Sequence, residues 1–126
     1  MNKIPFYLTI DFEDLAYELL RAIGETPKVS ATALELSYKL INEYSKKKLN
    51  NKKLTFFTTG TVAKTMPDLI KQMTIDGHEV ASHYNLHNLM YKQSNYEISK
   101  TLRLQKSQYL KLVEKSPLDF EHQHFL

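Results

Sequence analysis

His83 and His87 stand four positions apart in the stretch GHEVASHYNLH, residues 77–87. Three acids, Asp11, Glu13 and Asp14, cluster in LTIDFED near the start of the chain. Two imidazoles and a carboxylate make a ligand set for zinc or a similar divalent ion, with a fourth position left for water. Each half alone has a plain structural reading. A histidine pair at this spacing is weak by itself, and an acid cluster suits the first turn of a helix. His78, before the strand expected there rather than after it, reads as structural or surface. The metal reading needs a fold that brings both clusters together.

The bulk numbers permit such a fold. A chain of 126 residues with 42% hydrophobic and 25% charged residues has single-domain length and globular composition. The absence of cysteine excludes a disulfide framework, a thiolate metal site and a cysteine nucleophile. The net charge of +3 owes much to KKKLNNKK, residues 46–53. That run lacks arginine and interleaved aromatics and falls where a helix should end. It reads as a solvated helix terminus rather than a nucleic-acid patch. The opening MNKIPFYLTI has no signal-peptide pattern, and no run approaches the roughly 20 apolar residues of a membrane span. The expected location is the cytoplasm.

The elements that would position the clusters follow from periodicity. FYLTI, residues 6–10, reads as a buried strand. Phe12, Leu15, Ala16, Leu19, Leu20 and Ile23 then repeat at helical spacing until Gly24 and Pro27. A second helix is expected from a Thr32–Glu35 capping box, with Ala33, Leu36, Leu40, Ile41 and Tyr44 on its inner face. LTFFTTG, residues 54–60, is the second strand. Met66-Pro67-Asp68 opens a third helix that buries Leu69, Ile70 and Met73 and closes at Asp76-Gly77. Residues 78–82 form a third strand, residues 84–93 a loop, and Ser94 with Glu97 caps a last helix to about Lys115. Strands separated by helices predict right-handed crossovers, a parallel sheet and an α/β class.

In such a fold ligands bind beyond the carboxyl ends of the strands. The first strand ends at Asp11, Glu13 and Asp14, the second at Thr58 and Thr59, the third at Ser82, His83 and His87. The threonine pair reads most simply as strand-end hydrogen bonding.

LTIDFED and LTFFTTGTVAKTMPDLIKQMTIDGHEVASHYNLHNLMY, with their separation, resemble the polysaccharide deacetylase family, the NodB-type carbohydrate esterases. The resemblance implies the N-terminal part of a distorted (β/α) barrel of about seven units, parallel strands alternating with helices. It also implies removal of the acetyl group from an N-acetylated carbohydrate, aided by a divalent metal ion, usually zinc. On that pattern His83 and His87 match the histidine ligands of S-H-x-x-x-H, and Asp11 matches the catalytic base. The metal carboxylate is Glu13 or Asp14, because DFED stands where many relatives have adjacent aspartates. The family's later Arg-x-Pro and Leu-x-x-His segments find no match, and His122 and His124 read as a chance tail.

The expectation is therefore a truncated deacetylase: a partial domain over 1–115, an unplaced tail over 116–126, and an exposed sheet edge open to self-association or a complementary C-terminal chain. The other readings are a non-catalytic remnant that keeps the metal half-site, and a binding module acting through its lysines.

Overall fold

A computed structural model of the chain describes residues 6–14, 19, 22–24, 31–84 and 90–113. Three short strands form one parallel sheet in the order β1 (Thr9–Phe12), β2 (Thr55–Thr58), β3 (Glu79–Ser82). The register pairs Asp11 with Phe57 and Phe57 with Ala81, so Phe12, Thr58 and Ser82 end the strands side by side. Helix α1 (Ala31–Lys48) precedes β2; α2 (Gly60–Thr65) and α3 (Pro67–Ile75) lie between β2 and β3. A 3-10 turn (Met90–Lys92) and α4 (Asn95–Val113) follow. The α/β class with parallel strands is as the periodicity predicts. A membrane-spanning helix is absent among the described residues.

Alternation within the strands decides which sheet face is covered. Phe12, Phe56 and Thr58 are buried, and Val80 packs against the same core. On the other face Thr9, Asp11 and Glu79 are exposed and Phe57 is half-buried. Phe56 has no exposed surface and meets three rings edge-on: Phe12 at 5.8 Å, Tyr38 at 5.6 Å and His78 at 5.2 Å between centroids. Val62, Ile70, Met73 and Tyr109 complete the core from the helices.

Several expectations need correction. The first strand starts later than FYLTI suggests: Phe6 and Tyr7 are more than 80% exposed, and Phe12 is the last strand residue rather than the first of a helix. Leu19, Ala22 and Ile23 are helical, but half of the helix expected over 12–23 lies outside the described residues. Helix α1 begins at Ala31, so Thr32 is inside it rather than capping it. Gly60 does not end β2 but opens α2, with the Thr59 side chain accepting from the Val62 amide as N-cap. The Ser94–Glu97 capping box forms as expected, Ser94 N–H and hydroxyl both donating to Glu97 at 2.7 Å. Asp76 ends α3 and Gly77 follows at φ +82°, the left-handed region glycine enters most easily.

The inner face of α1 is the largest departure. Leu36, Leu40 and Tyr44 are 55%, 58% and 59% exposed and Ala33 is exposed with them, while Tyr38, Asn42 and Ser45 are buried; of the expected face, Ile41 alone packs half-buried against the core. The rotation has a hydrogen-bonding cause. Tyr38 hydroxyl donates to Asp76 Oδ2 at 2.5 Å, and Asn42 Nδ2 donates to the same oxygen at 2.8 Å. Ser45 hydroxyl donates to the Lys52 carbonyl, closing the turn through Asn50 and Asn51, both at positive φ. The lysine run thus ends a helix, as its position predicts.

Asn42 Oδ1 also lies 3.0 Å from His78 Nε2, while His78 Nδ1 accepts from Leu54 N–H at 3.2 Å. His78 is therefore the neutral tautomer protonated on Nε2, a structural residue only 5% exposed. Burial, reinforced by Lys53, holds its pKa below the ordinary imidazole value. Burial alone would raise Asp76, but hydrogen bonds from Tyr38 and Gln72, with Lys46 nearby, leave its pKa below the usual carboxylate range.

A histidine whose folded pKa is depressed resists protonation that the unfolded chain accepts, so its contribution is full above about pH 6.5 and declines below it. The thermal melt is expected to fall between pH 7.5 and pH 5.5 in the wild type. In His78→Gln the same drop should be smaller, measured by circular dichroism; an equal drop assigns it elsewhere.

Candidate functional site

The aligned strand ends deliver the polar residues to one edge of the sheet. His83 directly follows β3, and its amide donates to the Thr58 carbonyl at 2.8 Å, extending the ladder by one residue. Asp11 lies in β1 with its side chain 63% exposed, on the sheet face opposite the core. Glu13 follows β1 on the same alternation and is half-buried. The His83 ring therefore reaches across the end of β2 toward both acids. Its Nδ1 stands 3.9 Å from Asp11 Oδ1 and its Nε2 3.7 Å from Glu13 Oε2. The Phe57 ring, 6.4 Å from the His83 ring between centroids, forms the apolar floor.

The turn after β3 is held firmly. Tyr84 has φ +62°, a left-handed conformation that costs a side-chain-bearing residue about 1–3 kcal/mol and persists only when its surroundings fix it. Three bonds do so here: Tyr84 N–H donates to Ser82 Oγ at 3.2 Å, its carbonyl accepts from Gly60 N–H at 3.0 Å, and its hydroxyl donates to Gln93 Oε1 at 2.7 Å. Ser82 hydroxyl in turn donates to Gln105 Oε1 at 2.6 Å, and Gln105 is buried in α4. Tyr109, one turn further along α4, pairs its hydroxyl with Thr58 Oγ1 at 2.6 Å and donates to the Thr58 carbonyl at 2.7 Å. Burial pushes the Tyr109 phenol up to about 12, against the pull of the Thr58 hydrogen bond, so it stays protonated near neutral pH.

The sequence reading of Thr58 and Thr59 as hydrogen-bonding strand-end residues matches these contacts. Gln105 and Tyr109 were not legible as positioning groups. The available signal was their four-residue spacing, polar and aromatic, on the inner face of a capped helix.

Asp11, Glu13 and His83 are thus neighbours. Asp14 follows Glu13 and is half-buried. His87 lies outside the described residues, as do His122, His124 and the whole 116–126 tail. Among the described residues, no group of three or more histidine, aspartate and glutamate side chains converges as the ligands of an ion would. The donor types nevertheless suit a borderline divalent cation, since one imidazole stands between two carboxylates at the open end of the sheet.

Residues 38–120 match the polysaccharide deacetylase family model, a span that contains His83 and His87 and excludes Asp11, Glu13 and Asp14. The fold is similar to the crystal structure of a polysaccharide deacetylase from Bacillus cereus, with a TM-score of 0.54 and 28% sequence identity. That match covers 88% of this chain and 43% of the Bacillus cereus chain, so the present chain spans less than half the length of its structural relative.

Removing the Tyr109 hydroxyl tests the clamp. Tyr109→Phe should lower unfolding free energy by about 1–3 kcal/mol, because Thr58 loses its buried partner. Urea denaturation reads the change, and an unaltered midpoint would show that the clamp contributes nothing.

Proposed function

Because the chain belongs to the polysaccharide deacetylase family, we propose that it hydrolyses, or contributes to hydrolysing, the N-acetyl group of an acetamido sugar at the Asp11–Glu13–His83 edge of its sheet. The observation that carries this reading is the placement of His83 between the carboxylates of Asp11 and Glu13. His83, His87 and a carboxylate from the Glu13–Asp14 pair would hold a divalent ion, zinc being the one that suits imidazole and carboxylate donors. Glu13 is favoured as that carboxylate because its oxygen faces His83 Nε2. Such an ion, when bound, would supply Lewis acidity and would lower the pKa of water toward about 7.

The remaining work falls to the chain itself. The exposed Asp11 carboxylate acts as general base, taking a proton from water as its oxygen bonds to the acetyl carbon; the C–N bond then breaks, and the proton is passed to the departing sugar amine as acetate is released. Its proximity to His83 Nδ1 orients the ring, leaving Nε2 toward Glu13. The Ser82–Gln105 and Tyr84–Gln93 bonds fix the backbone on either side of His83, so the imidazole is positioned before substrate arrives. Phe57 offers an apolar surface beside the reacting carbonyl. The substrate class is an N-acetylated carbohydrate, and peptidoglycan, exopolysaccharide and lipid-linked sugars all present the group this site would attack.

Titrating the chelator-stripped chain with Zn²⁺ or Co²⁺ should raise its melting temperature, about 2.7 kcal/mol being gained at a hundredfold excess over Kd. Lys52→Ala should respond like the wild type and His83→Ala should not respond. Equal responses in both variants would move the metal site elsewhere. Acetate release from a chitooligosaccharide then separates a working deacetylase from a chain that binds metal without turnover.

A further inference from the structure

Helix α4 turns Gln105 and Tyr109 to the core and a line of polar residues to solvent. Tyr96, Lys100, Arg103, Ser107 and Lys111 follow one another along it at helical spacing, and all five are exposed. Lys106, also exposed, flanks the line beside Arg103. Glu97 is the one acid in α4, and it sits at the N-terminal end, where Ser94 donates to it. Lysines on α1 and α3 do find acids: Lys46 meets Asp76, Lys47 meets Glu43 and Lys71 meets Asp68. No carboxylate among the described residues pairs with Lys100, Arg103, Lys106 or Lys111. Arg103, Lys106, Ser107, Leu110 and Lys111 line a shallow, open depression of about 350 Å³. Like charges at helical spacing oppose one another, and an anion entering that depression would relieve the repulsion.

We propose that this face of α4 binds the anionic groups of an acidic glycan, the carboxylates or phosphates on sugars near the one to be deacetylated. The proposal rests on the carbohydrate reading of the Asp11–Glu13–His83 edge. On the inner side of the helix Gln105 accepts from Ser82 and Tyr109 donates to the Thr58 carbonyl, so the cationic face is fixed relative to the strand ends. It lies one helix thickness away from them, about 10–12 Å, which places neighbouring sugars of a polymer within its reach. The Arg103 fork and the lysine heads suit such oxyanions through charge-assisted hydrogen bonds, and the Ser107 hydroxyl adds a neutral donor. A single strand of nucleic acid fits less well, because its bases stack on aromatic rings set among the cations, and Tyr96 stands alone at one end of the line. Insertion into a membrane fits poorly too. The exposed Leu102 and Leu104 are two residues apart, about 200° around a helix, and form no common apolar face.

Fluorescence polarisation of a labelled hyaluronan oligosaccharide, which carries both acetamido groups and carboxylates, tests the proposal on the full, chelator-stripped chain. A chitooligosaccharide of equal length is the neutral comparison. The wild type should bind the charged glycan at least about tenfold more tightly than the neutral one, and the preference should shrink at high salt. Arg103→Gln/Lys106→Gln/Lys111→Gln should lose that preference and keep the wild-type melting temperature, because all three side chains are exposed. Lys39→Gln/Lys48→Gln/Lys64→Gln removes the same charge from other exposed positions and should bind as the wild type does. His83→Ala should also retain binding, so failed acetate release with binding intact would sink the catalytic reading and leave this one standing. Equal affinity for the two glycans, an equal loss in the two triple variants, loss of binding in His83→Ala, or tighter binding of a single-stranded DNA of matching charge would each overturn it.

Discussion

A parallel strand flanked on both sides cannot hide its backbone polar groups unless its neighbours stay in register, and β2 is that strand. Each of its residues, Thr55 to Thr58, has a partner in both β1 and β3. Phe56 fixes the register from the covered side, its ring fully buried against Phe12, Tyr38 and His78. A slip of one residue in β2 would exchange its two faces and place Phe57 where Phe56 now sits. The same register sets Asp11, Glu13 and His83 at one edge. Core packing and site geometry are therefore a single constraint seen from the two faces of the sheet.

Around Phe56 the core is partly polar, and this determines how α1 is seated. His78, Asn42, Tyr38 and Asp76 form a connected set in which donors and acceptors are matched, with Lys53 donating to the Asp76 carbonyl at 2.7 Å. A buried polar group without a partner costs about 1–3 kcal/mol, and the seating that satisfies this set packs Leu34 and Ile41 against the core and leaves Leu36 and Leu40 outside. The outward stripe on α1 is a direct consequence.

Rigidity at the carboxyl end of the sheet comes from α4 rather than from the strands. Gln105 and Tyr109 reach β3 and β2 respectively, and the strained Tyr84 turn is tied to Gly60 and Gln93. A left-handed tyrosine beside His83 is sustained by contacts from three separate segments. Such strain is kept where a side chain must be aimed, which agrees with the role proposed for His83.

The residue types and spacings determined the α/β class, the chain order of the three strands, the α3 core face of Ile70 and Met73, the Ser94–Glu97 cap and the family. Periodicity, capping chemistry and the HEVASH block are local in sequence, so they can be read there. Tertiary structure alone decided the rest. Phe12 belongs to a strand because Phe56 receives its ring, and α1 buries Tyr38 and Asn42 because Asp76 and His78 wait across the core. Thr59 and Gly60 start a helix where alternation suggested continued strand, since a strand's end is set by what its neighbours pair with. The choice of partner for a polar group depends on residues distant in sequence, and no local pattern records where those residues arrive.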